Sequence, residues 1–253
     1  MSEPLLQARS LVKHYGGVEA LRGASFEASA GEVVALIGDN GAGKSTMVKC
    51  LSGAEQPDSG EILLDGKPVR LDSPTTARRL GIETVYQDLA VAPDLDPAAN
   101  LFLGRELTRG GLFGKLGMLD KATMRRRAAE EFGRLGVQLQ NVDVPIGALS
   151  GGQRQSVAVA RSVVWASKVV FMDEPTAALG VVQRERVLDV IRKVRDAGVA
   201  VVLISHNMPE VLSVADRVEV LRLGTRVARL NAADATLEDL VGAMTGALIQ
   251  EDA

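Results

Sequence analysis

Residues 38–46 read Gly38-Asp39-Asn40-Gly41-Ala42-Gly43-Lys44-Ser45-Thr46. The spacing Gly38-x4-Gly43-Lys44-Ser45 is the Walker A pattern of loops that cradle nucleotide phosphates. The run before it, Val33-Val34-Ala35-Leu36-Ile37, predicts a buried strand. After it, Thr46 to Gly53 predicts a helix ended by glycine. Strand, glycine-rich turn and helix in that order are the context the pattern needs. The glycines let backbone N–H groups curl around phosphates, and the helix N-terminus adds its partial positive charge. Lys44 is placed to reach the β- and γ-phosphates, and Ser45 to set a hydroxyl on Mg²⁺. The candidate phosphate-binding residues are therefore Gly38, Asn40, Gly41, Ala42, Gly43, Lys44, Ser45 and Thr46.

Working outward, residues 5–12 and 18–28 alternate apolar and polar positions, as antiparallel strands do. Residues 62–69 predict a hairpin turning at Asp65-Gly66, and Ile82 to Tyr86 another short strand. From about 88 to 165 strand-like runs vanish. Helices are predicted over Pro97–Leu103, over Asp120–Leu135 with Asp120 as N-cap, and over Ser150–Ala166 capped by Ser150. Gly110 to Gly117, with four glycines, reads as a loop. From Lys168 onward the two periods alternate again. Strands are predicted at Val169–Met172 and Val199–Ile204, and helices at Gln183–Asp196 and from Pro209 to Val214. A hairpin is predicted around Gly224 and a short helix over Thr236–Thr245. This alternation predicts an α/β fold with a mostly parallel sheet and helices on its faces, interrupted by an inserted helical segment.

The bulk numbers fit. The chain has 253 residues, is 46% hydrophobic and 24% charged, and carries a net charge of −3, which suits a soluble protein with a sizeable core. That balance argues against nucleic acid as a partner, which asks for a basic excess. The densest basic run, Arg125-Arg126-Arg127, is followed by Glu130 and Glu131 and reads as a solvated helix face. The single Cys50 allows no internal disulfide, and its apolar neighbours predict a packing role in a reducing compartment. The start Met1-Ser2-Glu3-Pro4 does not resemble a signal peptide, and runs such as Val199–Ile204 fall far short of the ~20 residues that cross a bilayer.

Val169-Val170-Phe171-Met172-Asp173-Glu174 has the form of a Walker B strand. Asp173 is then placed to hold Mg²⁺, and Glu174 to polarise an attacking water as general base. Four apolar residues before a carboxylate are common; the order, after a Walker A loop, gives them meaning.

With Gln87 in Val85-Tyr86-Gln87-Asp88, the run Leu149-Ser150-Gly151-Gly152-Gln153, and His206 in Ile204-Ser205-His206-Asn207, the motif order becomes that of a family. The chain resembles the nucleotide-binding subunit of ABC transporters over almost its whole length. The resemblance implies one P-loop NTPase domain over residues 1–253: a RecA-like core with an antiparallel β subdomain from 1–87 and 166–253, and a helical subdomain at 88–165 that carries the signature motif. It implies ATP and Mg²⁺ as cofactors. It assigns Tyr15 to stacking on adenine, and Ser150, Gly151, Gly152 and Gln153 to a γ-phosphate bound by the other subunit of a head-to-tail pair. It assigns catalysis to Lys44, Gln87, Glu174 and His206, and Mg²⁺ to Ser45, Gln87 and Asp173. One position departs from the pattern: Gly180 stands where an aspartate is usual. That aspartate helps couple the two sites of the pair, so the strength of the coupling is in question here.

Gln87-Asp88-Leu89-Ala90-Val91-Ala92-Pro93, Asn100-Leu101-Phe102-Leu103-Gly104-Arg105-Glu106 and Pro175-Thr176-Ala177-Ala178-Leu179-Gly180-Val181 resemble importers of ribose, fructose and similar monosaccharides with one cassette per chain. That likeness implies a second ATPase subunit, integral membrane permease subunits and, indirectly, an extracytoplasmic sugar-binding protein. The chain would then sit peripherally on the cytoplasmic face of the inner membrane. An export ATPase of the same architecture is one alternative. A soluble ATPase acting on DNA or ribosomes is another, but such relatives usually carry two fused cassettes or a long coiled-coil insert.

Overall fold

The structure, a computed structural model, describes residues 4–85, 91–111, 116–137, 139, 141–177 and 179–250. Its contacts divide the chain into two units. One comprises Met1–Thr84, Ala166–Glu174 and Ile191–Ala253; the other Val85–Trp165 and Pro175–Val190.

The first unit holds two sheets. Strands β1 (Leu6–Tyr15), β2 (Val18–Ala28), β4 (Ser59–Leu64) and β5 (Lys67–Pro68) form a four-stranded sheet in the order β2-β1-β4-β5, antiparallel throughout. Strands β3 (Val33–Ile37), β6 (Ile82–Val85), β7 (Val169–Asp173), β8 (Ala200–Ile204), β9 (Arg217–Arg222) and β10 (Thr225–Asn231) form a six-stranded sheet in the order β10-β9-β3-β8-β7-β6. Strand β3 lies parallel to β8 and β9, and β7 parallel to β8, while β10 returns antiparallel along β9.

Every residue of β3 is buried, because both faces of this strand are covered. Val34 and Leu36 join a core with Met47, Val48 and Leu51 of helix α1 (Lys44–Leu51) and with Leu6, Leu11 and Phe26 of the antiparallel sheet. Ala35 and Ile37 join a second core with helices whose ranges, Met208–Val214 and Leu237–Thr245, close this unit. Period-two alternation thus sends one strand into two cores. Cys50 is fully buried, and desolvation lifts its thiol to about 11, so it acts as a small hydrophobe.

The edge of this unit is held by charge. Glu219 on β9 is fully buried, in contact with Arg217, Arg226 and Arg229. Burial raises the Glu32 carboxyl, but the Arg217 guanidinium, bidentate at 2.7 and 3.0 Å, overrides it and holds the group below the ordinary range. Removing one partner of such a set leaves a buried charge uncompensated.

The six-residue helix α2 (Pro74–Arg79) belongs to the first unit, capped by Ser73 with Pro74 at its first position. The second unit holds α3 (Pro97–Leu101), α4 (Lys121–Leu135), α5 (Gly151–Trp165) and the start of α6 (Val181–Asp196). Buried Asn100 ties the 92–96 segment together: its amide donates to the carbonyls of Ala92 and Leu95 at 2.9 and 3.1 Å, and its oxygen accepts from the Ala92 N–H. Trp165 ends α5, donating to the Leu101 carbonyl at 2.9 Å beneath the edge of Phe102. Helices α7 (Met208–Val214) and α8 (Leu237–Thr245) belong to the first unit.

Several expectations shift. Helix α1 starts at Lys44, not Thr46, and α3 stops at Leu101 rather than Leu103. Strand β1 runs on to Tyr15, and α6 begins at Val181. Helix α2 had no counterpart in the sequence reading. The loop expected at Gly110–Gly117 falls partly outside the described residues; Arg109 and Asp120 close it by donating to Met118 and Leu107.

Candidate nucleotide site

The phosphate loop leaves β3 at Gly38 and enters α1 at Lys44. Two of its glycines are forced by their surroundings. Gly38 has φ 152°, and a Cβ there would lie 2.2 Å from the Leu221 carbonyl oxygen. Gly43 has φ 105°, and a Cβ there would lie 2.7 Å from the Ala20 carbonyl. Side chains therefore cannot intrude on the cradle. The loop is held from outside as well: Gly224, in the turn between β9 and β10, donates to the Ala42 carbonyl at 3.0 Å. Ala42 is buried, while Asn40, Gly41 and Ser45 are exposed and Thr46 is half-buried. Helix α1 has no side-chain cap, so its first N–H groups are not consumed by a capping side chain.

Lys44 donates from Nζ to the carbonyls of Gly38 and Asp39 at 2.7 and 3.0 Å. Burial pulls its pKa below the ordinary lysine value, against the opposing charges of Asp39, Glu174 and Asp173. Asp173 closes β7, and its carboxyl is raised, first by burial and then by Glu174, with Lys44 opposing. A half-buried carboxylate that resists its own charge suits a cation-binding position.

Glu174 follows with φ 50°, a left-handed backbone rare for a glutamate. Its N–H donates to the Ile204 carbonyl at 2.9 Å, which locks the turn to the end of β8. The carboxylate accepts from the His206 N–H at 3.1 Å and meets His206 Nδ1 at 2.7 Å. The glutamate side chain is 16% exposed and the histidine 81%, so the pair presents an open imidazole backed by a shielded carboxylate. Lys44, Asp173, Glu174 and His206 thus converge at the ends of adjacent parallel strands, the usual ligand position in an open α/β sheet.

Tyr15 ends β1 and is 40% exposed, with the Lys13 ammonium 5.6 Å from its ring centroid. Gln87 lies outside the described residues.

The second unit places Ser150, Gly151, Gly152 and Gln153 at the N-terminus of α5. Ser150 and Gln153 form a reciprocal cap: Gln153 N–H donates to Ser150 Oγ at 3.3 Å, and Ser150 N–H to Gln153 Oε1 at 3.2 Å. Gly152 and Gly180 both face Gln183, where a Cβ would meet that side chain at 2.4 and 2.8 Å. Sequence reading missed Gln183, and it missed the Lys13–Asp58–His14 cluster beside Tyr15, since Asp58 lies 44 residues from its partner His14.

The sequence profile of the ABC transporter family matches residues 21–177. The chain is 54% identical to a fructose import ATP-binding protein of Rhizobium meliloti, over 97% of this chain and 95% of that one. It is 43% identical to a ribose import ATP-binding protein of Rubrobacter xylanophilus over 98% of this chain, and spans about half, 48%, of that relative. Among solved structures, an ATP-binding cassette of an ABC transporter superposes with a TM-score of 0.83 over 97% of this chain and 98% of the other, at 23% identity, a likeness of fold.

Proposed function

Since the chain belongs to the ABC transporter family and is an ATPase, we propose that it powers uptake of a monosaccharide of the fructose or ribose kind through a partner permease. The observation that carries the reading is the 54% identity, over nearly all of both chains, to a fructose import protein.

In this reading ATP lies on the phosphate loop. Gly38, Asn40, Gly41, Ala42, Gly43, Ser45 and Thr46 surround the phosphates, and Lys44 exchanges its two carbonyl partners for β- and γ-phosphate oxygens. Ser45, exposed at the start of α1, and the half-buried Asp173 would hold Mg²⁺. When bound, the ion would supply charge neutralisation for the phosphates. Glu174 takes the proton of the attacking water, and His206, hydrogen-bonded to that carboxylate, fixes its direction and reaches toward the γ-phosphate. Tyr15 stacks on adenine. Gln87 joins the Mg²⁺ and water contacts on the strength of its sequence slot alone.

Ser150, Gly151, Gly152 and Gln153 then serve the ATP of a second, identical chain, which completes each site by two-fold symmetry. Residues 88–165 act as the helical subdomain that engages the permease. A pocket of about 270 Å³ there is lined by Leu95, Ala98, Leu119 and Met124 together with the charged Asp94, Lys121, Arg125 and Asp143. The chain would work from the cytoplasmic face of the inner membrane, and an extracytoplasmic binding protein would deliver the sugar.

The test is purification of the tagged chain from native membranes in mild detergent, with mass spectrometry of what accompanies it. A polytopic permease with a sugar-binding protein is the expected result. An export partner, or ribosomal or DNA-repair proteins, would overturn the importer assignment and leave the ATPase chemistry standing.

A further inference from the structure

Asp58 lies in the connection between α1 and β4, one residue before that strand begins. It reaches the last residues of β1 with both carboxylate oxygens. Oδ2 accepts from the His14 N–H at 2.6 Å and meets His14 Nδ1 at 3.0 Å. Oδ1 accepts from Lys13 Nζ at 3.2 Å. The Asp58 N–H donates to the Val12 carbonyl at 2.8 Å. One residue therefore holds three successive residues of β1, and the next is Tyr15. The Lys13 ammonium, set by Asp58, stands over the Tyr15 ring.

The other strand of this hairpin rests on the phosphate loop. The pairing shifts between Lys13↔Leu21 and His14↔Glu19, leaving Ala20 as an extra residue on β2. A bulge re-aims the strand that carries it. Here the Ala20 carbonyl is the atom that forbids a side chain at Gly43. The Arg22 N–H adds a bond to the Gly224 carbonyl at 2.7 Å. So β2 ties the hairpin to the loop at the level of Ala20 and Arg22, and at that same level Asp58 grips β1 through the chain leaving α1. The carboxylate and the imidazole of the cluster are exposed, the Asp58 side chain 42% and the His14 side chain 50%, while the Lys13 side chain is 14% exposed. Pairs of that kind contribute little stability. What three directional bonds to consecutive residues supply is orientation.

We propose that Asp58 is a positioning residue for the nucleotide base, holding the Tyr15 ring at a fixed height and angle to the phosphate loop by gripping Lys13 and His14. The inference rests on Tyr15 being the adenine platform. Lys13 polarises that platform from beside it, and Asp58 keeps the lysine there. A base is then gripped only when ring and phosphates are engaged together.

The experiment uses the full-length chain and compares affinity for ATP with affinity for inorganic tripolyphosphate, which has no base. The Asp58→Ala variant is expected to bind ATP about three- to tenfold more weakly, the scale of one lost aromatic or cation–π contact, and tripolyphosphate as before. Tyr15→Ala should lose at least as much toward ATP, and adding Asp58→Ala to it should cost nothing more. Asp58→Asn, which keeps acceptors for His14, should fall between wild type and Asp58→Ala. Normal ATP affinity in Asp58→Ala, with a loss in Tyr15→Ala, would overturn the positioning role and keep the platform. Equal losses for ATP and tripolyphosphate would overturn it as well, since that pattern marks a general structural defect. Normal ATP affinity in Tyr15→Ala would instead remove the platform on which the inference stands.

Discussion

The sheet-bearing unit and the helical unit hold the residues proposed to bind phosphate in different ways. In the first, the loop is tied to distant sequence on every side. Gly38 lies against Leu221, Gly43 against Ala20, Ala42 accepts from Gly224, and Glu174 donates to Ile204. In the second, Ser150 and Gln153 hold each other, and Gln183 lies against Gly152 from elsewhere. The loop is braced by a buried parallel sheet within one chain; a helix end braced by its own cap has its donors and its partial charge still to use. The contrast is what a binding half and a completing half would look like.

The largest expected effect breaks the two halves apart. Lys44→Ala and Ser150→Arg should each lower ATPase activity by about 10²-fold or more, the scale of a lost transition-state contact. Mixing the two inactive chains should restore activity, since one site of the mixed pair has both halves intact. Failure to recover on mixing, measured as phosphate release, would mean that each chain hydrolyses ATP alone. Next, Glu174→Gln should cut turnover by about 10²–10⁴-fold while ATP binding persists, with a stable dimer visible by light scattering. Near-normal turnover would remove Glu174 from the general-base role.

A smaller effect concerns charge in the first unit. The Asp173 carboxyl is raised by burial and by Glu174, so its ionised form opposes folding. That penalty is absent below the ordinary aspartate range and grows as pH rises through the elevated folded value. Asp173→Asn should therefore melt higher than wild type at pH 7 without nucleotide and lose the advantage near pH 3. A lower melting point at pH 7 would contradict the electrostatic account. The smallest test lies in the second unit. Gly180→Asp should change stability by less than about 0.5 kcal/mol, because the atom its Cβ meets at 2.8 Å is the far end of the exposed Gln183 side chain, which can swing aside; a larger loss in thermal melting, recovered by Gln183→Ala, would show that Gln183 is held in place.

The same contrast explains what the sequence could tell. The phosphate loop, Asp173 and Glu174 were legible because each depends on a short run with a fixed spacing. The Ser150 cap was legible because its partner is three residues away. The start of α1 was misplaced because Gly43, in a left-handed conformation, begins the helix without a side-chain cap to mark it. Helix α2 was missed because six residues carry too little periodicity to register. Asp58 was invisible for a different reason. Its meaning lies in a contact across 44 residues, and only the antiparallel pairing of β1 with β4 brings them together.

The reciprocal cap at Ser150 has a consequence for which residue can occupy position 153. A glutamate there would complete the same pair of bonds and suit the helix N-terminus better by some ~0.3–1 kcal/mol. It would also set a negative charge where a phosphate must approach. Glutamine keeps the bonds and leaves the helix end electropositive. If that helix end receives the phosphate of a second chain, as proposed, the chain forgoes a little stability in its own fold for the anion's sake, and Gln153→Glu should yield a protein that folds slightly better and works worse.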